Sequence, residues 1–167
     1  MTPLPPALGG AGDLVVWRLD RARHAPTWES GEGAYLAGGR WNGKGVRGVY
    51  CSIDPATAVL EAAVHKGFDV LDTEPHVLTE ILVKDLTGAR IVQPNGVPNP
   101  NWLRPGTVSR GQQQFGDGLL AAHPIVVLPS VVSTNSWNVI LTPAAAGACQ
   151  VLSQEPFALD TRLAAKP

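Results

Sequence analysis

Three side chains between residues 38 and 65 could serve one reaction: the guanidinium of Arg40, the phenol of Tyr50 and the carboxylate of Glu61. Arginine matches phosphate oxygens through paired N–H donors. A tyrosine ring can stack on a flat heterocycle. An ionised carboxylate stabilises positive charge that develops as a glycosidic bond stretches. Together these are the tasks involved in breaking the ribosyl bond of a dinucleotide. Each residue also has a plainer use: a surface arginine, a half-buried strand aromatic and a solvent-facing helical glutamate.

Such groups act together only if the chain folds them into one cleft. Arg40 follows Gly38 and Gly39 in a glycine-rich turn, which lets a ligand approach the backbone closely. Within that turn Trp41 suits packing and Asn42 suits local hydrogen bonds. Tyr50 belongs to a short apolar run, residues 48–52, that reads as a strand. Asp54-Pro55 then signals a helix start, with Asp54 as cap and Pro55 in the first turn, and Gly67 is placed to end it. Within this helix Leu60 pairs with Val64 and Val59 with Ala63, which predicts those four as the buried stripe. Glu61 and His65 share a face at its edge.

Arg18 lies in another apolar run, residues 14–19, beside Trp17. An arginine there calls for an anionic partner, either a buried carboxylate or a substrate phosphate, and we favour the phosphate. Residues 24–39 read as loop. Strands are expected at 76–83, 90–92, 125–128, 138–141 and 149–152, with helix around 109–122. One clear early helix, another later and several short strands predict an α+β fold with antiparallel pairing.

The 167 residues predict one domain. It is expected to span residues 13–155, between a flexible arm at 1–12 and a tail at 156–167. The hydrophobic fraction of 44% and charged fraction of 16% fit a folded globular chain rather than a disordered one. A net charge of -1 supplies no general field for nucleic acid, so direct nucleic-acid binding is not expected. No apolar stretch approaches the ~20 residues of a membrane helix. The proline-rich start lacks a signal-peptide layout, so a cytoplasmic protein is expected. Cys51 and Cys149 form no metal motif, and His76 and His123 have no partners at ligand spacing. No metal or resident cofactor is expected.

The order of these pieces resembles the RES-domain proteins, toxins of bacterial toxin–antitoxin pairs. The matching residues are Trp17-Arg18, the run from Gly38 to Asn42, Val49-Tyr50, Leu60-Glu61 with His65, and Leu128-Pro129-Ser130 followed by Trp137-Asn138. The resemblance extends over residues 16–143. It implies an ADP-ribosyltransferase-like core of two small mixed sheets with flanking helices. It also implies degradation of NAD as substrate, with inorganic phosphate or water attacking. Arg40, Tyr50 and Glu61 would be catalytic, and Arg18, Thr57, His65 and Ser130 would join Arg40 and Tyr50 in binding substrate. A helix-turn-helix antitoxin of the Xre type would cover the active site, and the chain could form homo-oligomers. Transfer of ADP-ribose to a cellular protein is the first alternative. A non-catalytic nucleotide sensor is the second, disfavoured because a bare carboxylate repels an anionic ligand.

Overall fold

The computed structural model describes residues 1–163. Its elements run in chain order β1 (Leu14–Arg21), α1 (Glu32–Ala37), β2 (Val49–Ser52), α2 (Pro55–Lys66), α3 (Phe68–Thr73) and β3 (His76–Val83). They continue with β4 (Arg90–Ile91), α4 (Arg110–Ala122), β5 (Ile125–Pro129), β6 (Trp137–Leu141), α5 (Pro143–Gly147) and β7 (Gln150–Phe157). Short 3-10 turns lie between, and the longest, Ala22–Ser30, together with α1 occupies most of residues 24–39, the expected loop. No helix among the described residues is long and apolar enough to cross a membrane.

The seven strands form one sheet in the order β4-β5-β6-β2-β1-β3-β7, mixed because β4 and β5 are parallel and the remaining pairs antiparallel. The α+β class is therefore as expected, but the two sheets are one. The reason lies at its middle, where β1 and β2 share a single register pair, Trp17 with Ser52. Beyond that point the two halves separate, and this is the one register pair between β1 and β2 among the described residues.

Alternation along the strands sorts the residues onto two faces. Leu14, Val16, Val49, Cys51, Val127, Val139 and Leu141 form the larger core on one face, joined by Trp28 and Trp137. On the other, Val126, Leu128 and Ile140 pack with Trp41 and Leu120, and Tyr50 leans against them. Burial pushes the Cys51 thiol up to about 12, so it is a packing group rather than a nucleophile.

Helix α2 begins as the sequence predicts, with the Asp54 carboxylate accepting from the Thr57 backbone N–H at 2.7 Å. Its buried face is Thr57, Ala58, Ala62 and Ala63, so of the four expected residues Ala63 is buried and Val59 packs against the core, while Leu60 and Val64 are exposed. Small residues bring this helix close to Leu19 and Leu71.

The arm at residues 1–12 is attached rather than loose. Ala7 is buried, Leu4 and Leu8 pack on the larger core, and Thr2 bonds to Asn135 and Trp137. At the other end β7 runs into the expected tail, and Leu159 is buried. Residues 164–167 of that tail lie outside the described residues.

Candidate active site

The glycine turn is built around two side chains. The Tyr50 hydroxyl donates to Asn42 Oδ1 at 2.7 Å and accepts from the Trp41 backbone N–H at 3.1 Å. Fully buried Asn42 spends its amide hydrogens on the carbonyls of Ala34, Gly43 and Val46. Gly39 is required here: a Cβ on it would lie 2.7 Å from Asn42 Oδ1 and 2.8 Å from the Tyr50 hydroxyl. Burial pushes the Tyr50 phenol well above the usual tyrosine range, and the nearby Asp117 and Glu61 carboxylates add to it, against the Trp41 N–H and Arg40. Tyr50 is thus a neutral, anchored ring that supports the turn.

Helix α4 cradles the turn from behind. Gln113 Nε2 donates to the Gly39 carbonyl at 2.9 Å, and Asp117 Oδ1 accepts from the Gly43 N–H at 2.9 Å. Between them Gly116 abuts the turn so closely that a Cβ would lie 1.8 Å from the Trp41 carbonyl oxygen. The Trp41 ring is buried edge-on to Phe115, its indole nitrogen without a partner among the described residues, so it is held by shape.

Arg40 projects from this turn, half-buried, with one long contact to the Gly106 carbonyl at 3.4 Å. Among the described residues it forms no ion pair. That leaves most of its donors available to an anion.

Glu61 is held on the same face by the ends of β5 and β6. Ser130 Oγ donates to its Oε1 at 2.7 Å and Asn138 Nδ2 donates to the same oxygen at 2.6 Å. Asn138 is oriented by the Ser52 hydroxyl, which donates to its Oδ1 at 2.8 Å. The second carboxylate oxygen, Oε2, has no hydrogen-bond partner among the described residues. Charge-assisted bonds this short fix a carboxylate without neutralising it. Asn138, the anchor of this clamp, stood in the motif as part of Trp137-Asn138 but was given no role there. Its signal was a buried amide in an apolar strand, two residues from Ser136.

Three expected binding residues are placed differently. Alternation puts Arg18 on the Leu14–Val16 face, opposite the Tyr50 ring and Glu61. Its Nε and Nη2 bond Asp20 at 2.8 and 2.7 Å, and Nη1 donates to the Tyr50 carbonyl at 2.9 Å. Arg18 thus fills the gap where β1 and β2 separate. Its anionic partner is the buried carboxylate of Asp20 rather than the favoured substrate phosphate. Thr57 is buried in a hydroxyl cluster, where its Oγ1 lies 2.7 Å from Asp54 Oδ2, 3.0 Å from Ser133 Oγ and 2.9 Å from Ser136 Oγ. Burial opposes the Asp54 charge, but bonds from Thr57, Ser136 and Ala56 outweigh it and hold this carboxyl below its usual range. Thr57 is therefore a fastening for the loop 130–136. His65 is exposed, one turn beyond Glu61, with no hydrogen bond among the described residues.

The fold matches the M. tuberculosis MbcT–MbcA toxin–antitoxin complex, solved by crystallography, with a TM-score of 0.68 over 88% of this chain and 85% of that one. At 19% identity the likeness is one of fold. The sequence then narrows the class: the RES domain family matches residues 15–160, and the chain belongs to that family. Toxin Res of Photorhabdus laumondii is 29% identical over 154 residues, covering 90% of this chain and 97% of that protein. The Prs ADP-ribosylating toxin of a Sphingobium species is 34% identical over 137 residues, covering 77% and 81%. Toxin Res of Yersinia enterocolitica is 30% identical over 156 residues, covering 90% and 99%.

Proposed function

We propose that this chain is the toxin of a bacterial toxin–antitoxin pair and that it breaks the nicotinamide–ribose bond of cytoplasmic NAD. The observation that carries the reading is the Glu61 carboxylate, clamped through one oxygen, on the same face as Arg40, with neither the other oxygen nor that guanidinium paired among the described residues. Arg40 would bind the diphosphate and so fix the dinucleotide in reactive geometry. The bond from C1′ to the ring nitrogen breaks with its electron pair going to nicotinamide, which leaves neutral. The ribosyl centre becomes oxocarbenium-like, and ionised Glu61 stabilises it electrostatically. A phosphate or water oxygen then bonds to C1′, giving ADP-ribose 1-phosphate or, after loss of a proton, ADP-ribose.

Transfer of ADP-ribose to a protein is a second reading, favoured by the name of the Sphingobium relative. The same residues would act, with a protein side chain as nucleophile. Incubation with labelled NAD separates the two. Label in small molecules with release of nicotinamide supports degradation, whereas label in a protein band supports transfer. No nicotinamide release by folded protein in phosphate buffer overturns degradation, and no release when acceptor proteins of a cell lysate are added overturns both.

An NAD-consuming toxin needs restraint, and the fold neighbour is a toxin–antitoxin complex. Leu60 and Val64 flank Glu61 on the exposed side of α2, apolar surface that a helix-turn-helix antitoxin of the Xre type would cover.

A further inference from the structure

The Glu61 clamp depends on the loop 130–136, because Ser130 opens that loop and Asn138 follows it. The loop is closed by its own backbone: Ser130 N–H donates to the Ser136 carbonyl at 2.9 Å and Ser136 N–H to the Ser133 carbonyl at 3.0 Å. The Ser133 N–H donates to Ser130 Oγ at 2.9 Å, so this hydroxyl touches both the loop and Glu61. Ser133 and Ser136 also bind the start of α2 through Thr57 and Asp54.

A second attachment comes from the first residues of the chain. Thr2 N–H donates to the Asn135 carbonyl at 2.7 Å, and the Trp137 indole N–H donates to the Thr2 carbonyl at 2.8 Å. Asn135 has a φ of 70°, and among the described residues it alone, glycines aside, takes a positive value. Asparagine tolerates this left-handed conformation better than most residues. Trp137 is buried and directly precedes Asn138. Thr2 therefore bridges the residues just before Ser136 and just before Asn138, while Leu4, Ala7 and Leu8 hold the arm to the core.

We propose that residues 1–8 are a clasp that positions the Glu61 clamp, with Thr2 and Trp137 as its positioning residues. Neither touches Glu61. They act through the loop, by keeping Ser130 Oγ and Asn138 Nδ2 converged on one carboxylate oxygen. A misplacement of about 1 Å in such a constellation can cost two orders of magnitude in rate. The catalytic half of this inference rests on the NAD-cleaving reading; the structural half does not.

Two variants each remove one bond; Thr2→Pro leaves the core untouched, whereas Trp137→Phe also takes some volume from the larger core, so the two are read together. Trp137→Phe keeps an aromatic ring but loses the indole donor, and Thr2→Pro deletes the exposed N–H. Hydrogen–deuterium exchange of residues 130–138 is measured beside kcat and KM for NAD. Loss of one such bond should raise loop exchange about fivefold. The same variants should lower kcat several-fold, with KM held within about twofold. Unchanged loop exchange in both variants overturns the clasp, whatever the turnover. Faster exchange with unchanged kcat, in a wild type that does cleave NAD, overturns its positioning role. A wild type that does not cleave NAD refutes the functional reading, and exchange alone then decides the clasp.

Discussion

Replacing Glu61 by glutamine tests the mechanism with little disturbance to the fold. The carboxylate uses Oε1 for both Ser130 and Asn138, so an amide oxygen in the same place can accept both bonds. The amide nitrogen then occupies the position of the unpartnered Oε2. Two charge-assisted bonds of roughly 1.5–3 kcal/mol become neutral ones of roughly 0.5–1.5 kcal/mol. Relief of the half-buried charge offsets part of that difference, leaving a loss of about 1–2 kcal/mol. For a domain of this size the thermal midpoint should fall by roughly 2–8 °C, so the variant remains folded at 25 °C. Turnover should fall much further. A preorganised group facing transition-state charge contributes about 2.7–4 kcal/mol, or 100- to 1,000-fold in rate. The assay is nicotinamide release at saturating NAD, with NAD affinity measured separately by calorimetry. Affinity should stay the same or rise, since a negative charge near an anionic ligand has gone. A Glu61→Gln enzyme that turns over within about threefold of wild type refutes the role given to the carboxylate.

Four further outcomes follow from the site geometry. Arg40→Ala should weaken NAD binding by about tenfold to a hundredfold with little change in thermal midpoint, because it removes a charged contact worth roughly 1.5–3 kcal/mol. Arg18→Ala should do the reverse, destabilising the fold by about 3–5 kcal/mol as Asp20 is left buried and unpaired; equal midpoints for the two variants would contradict this division. Gly116→Ala forces α4 and the glycine turn apart, so chemical denaturation should show a loss of at least about 1–3 kcal/mol, accompanied by weaker NAD binding. The folded-state pKa of Tyr50 lies above its unfolded value of about 10, so its contribution to stability is complete below that pH and is lost as pH rises past it, the unfolded chain releasing its proton first. Urea midpoints followed from about pH 8 to 11 should therefore fall more steeply for wild type than for Tyr50→Phe.

Local signals made much of this molecule legible. The Asp54-Pro55 start of α2, the strand at His76–Val83 and the glycine turn each rest on short-range chemistry, and each is where the sequence places it. The sheet count was not legible, because one register pair between Trp17 and Ser52 decides whether two halves count as one. Nothing local to either strand announces that pair. The arm at residues 1–12 misled for a similar reason: its proline and glycine content describes the free segment, while its attachment depends on Trp137, far along the chain.

The errors at α2 and β1 share one physical cause. Hydrophobicity ranks Leu60 and Val64 above Ala58 and Ala62, yet a helix lying close on a sheet needs small residues at the contact, and Leu60 and Val64 turn outward. That rotation is also what brings Glu61 round to Ser130 and Asn138. A stripe centred on Leu60 and Val64 would have carried the carboxylate away from them. At β1, apolar neighbours made Arg18 look like a ligand-seeking cation, but alternation sends it to the face opposite Glu61, where Asp20 two residues on supplies its carboxylate. An i, i+2 partner on a strand was visible in the sequence, since both residues must share a face. The same test applied to Arg40 finds no such partner in its turn. That contrast separates an arginine that holds the sheet together from one free to hold a substrate.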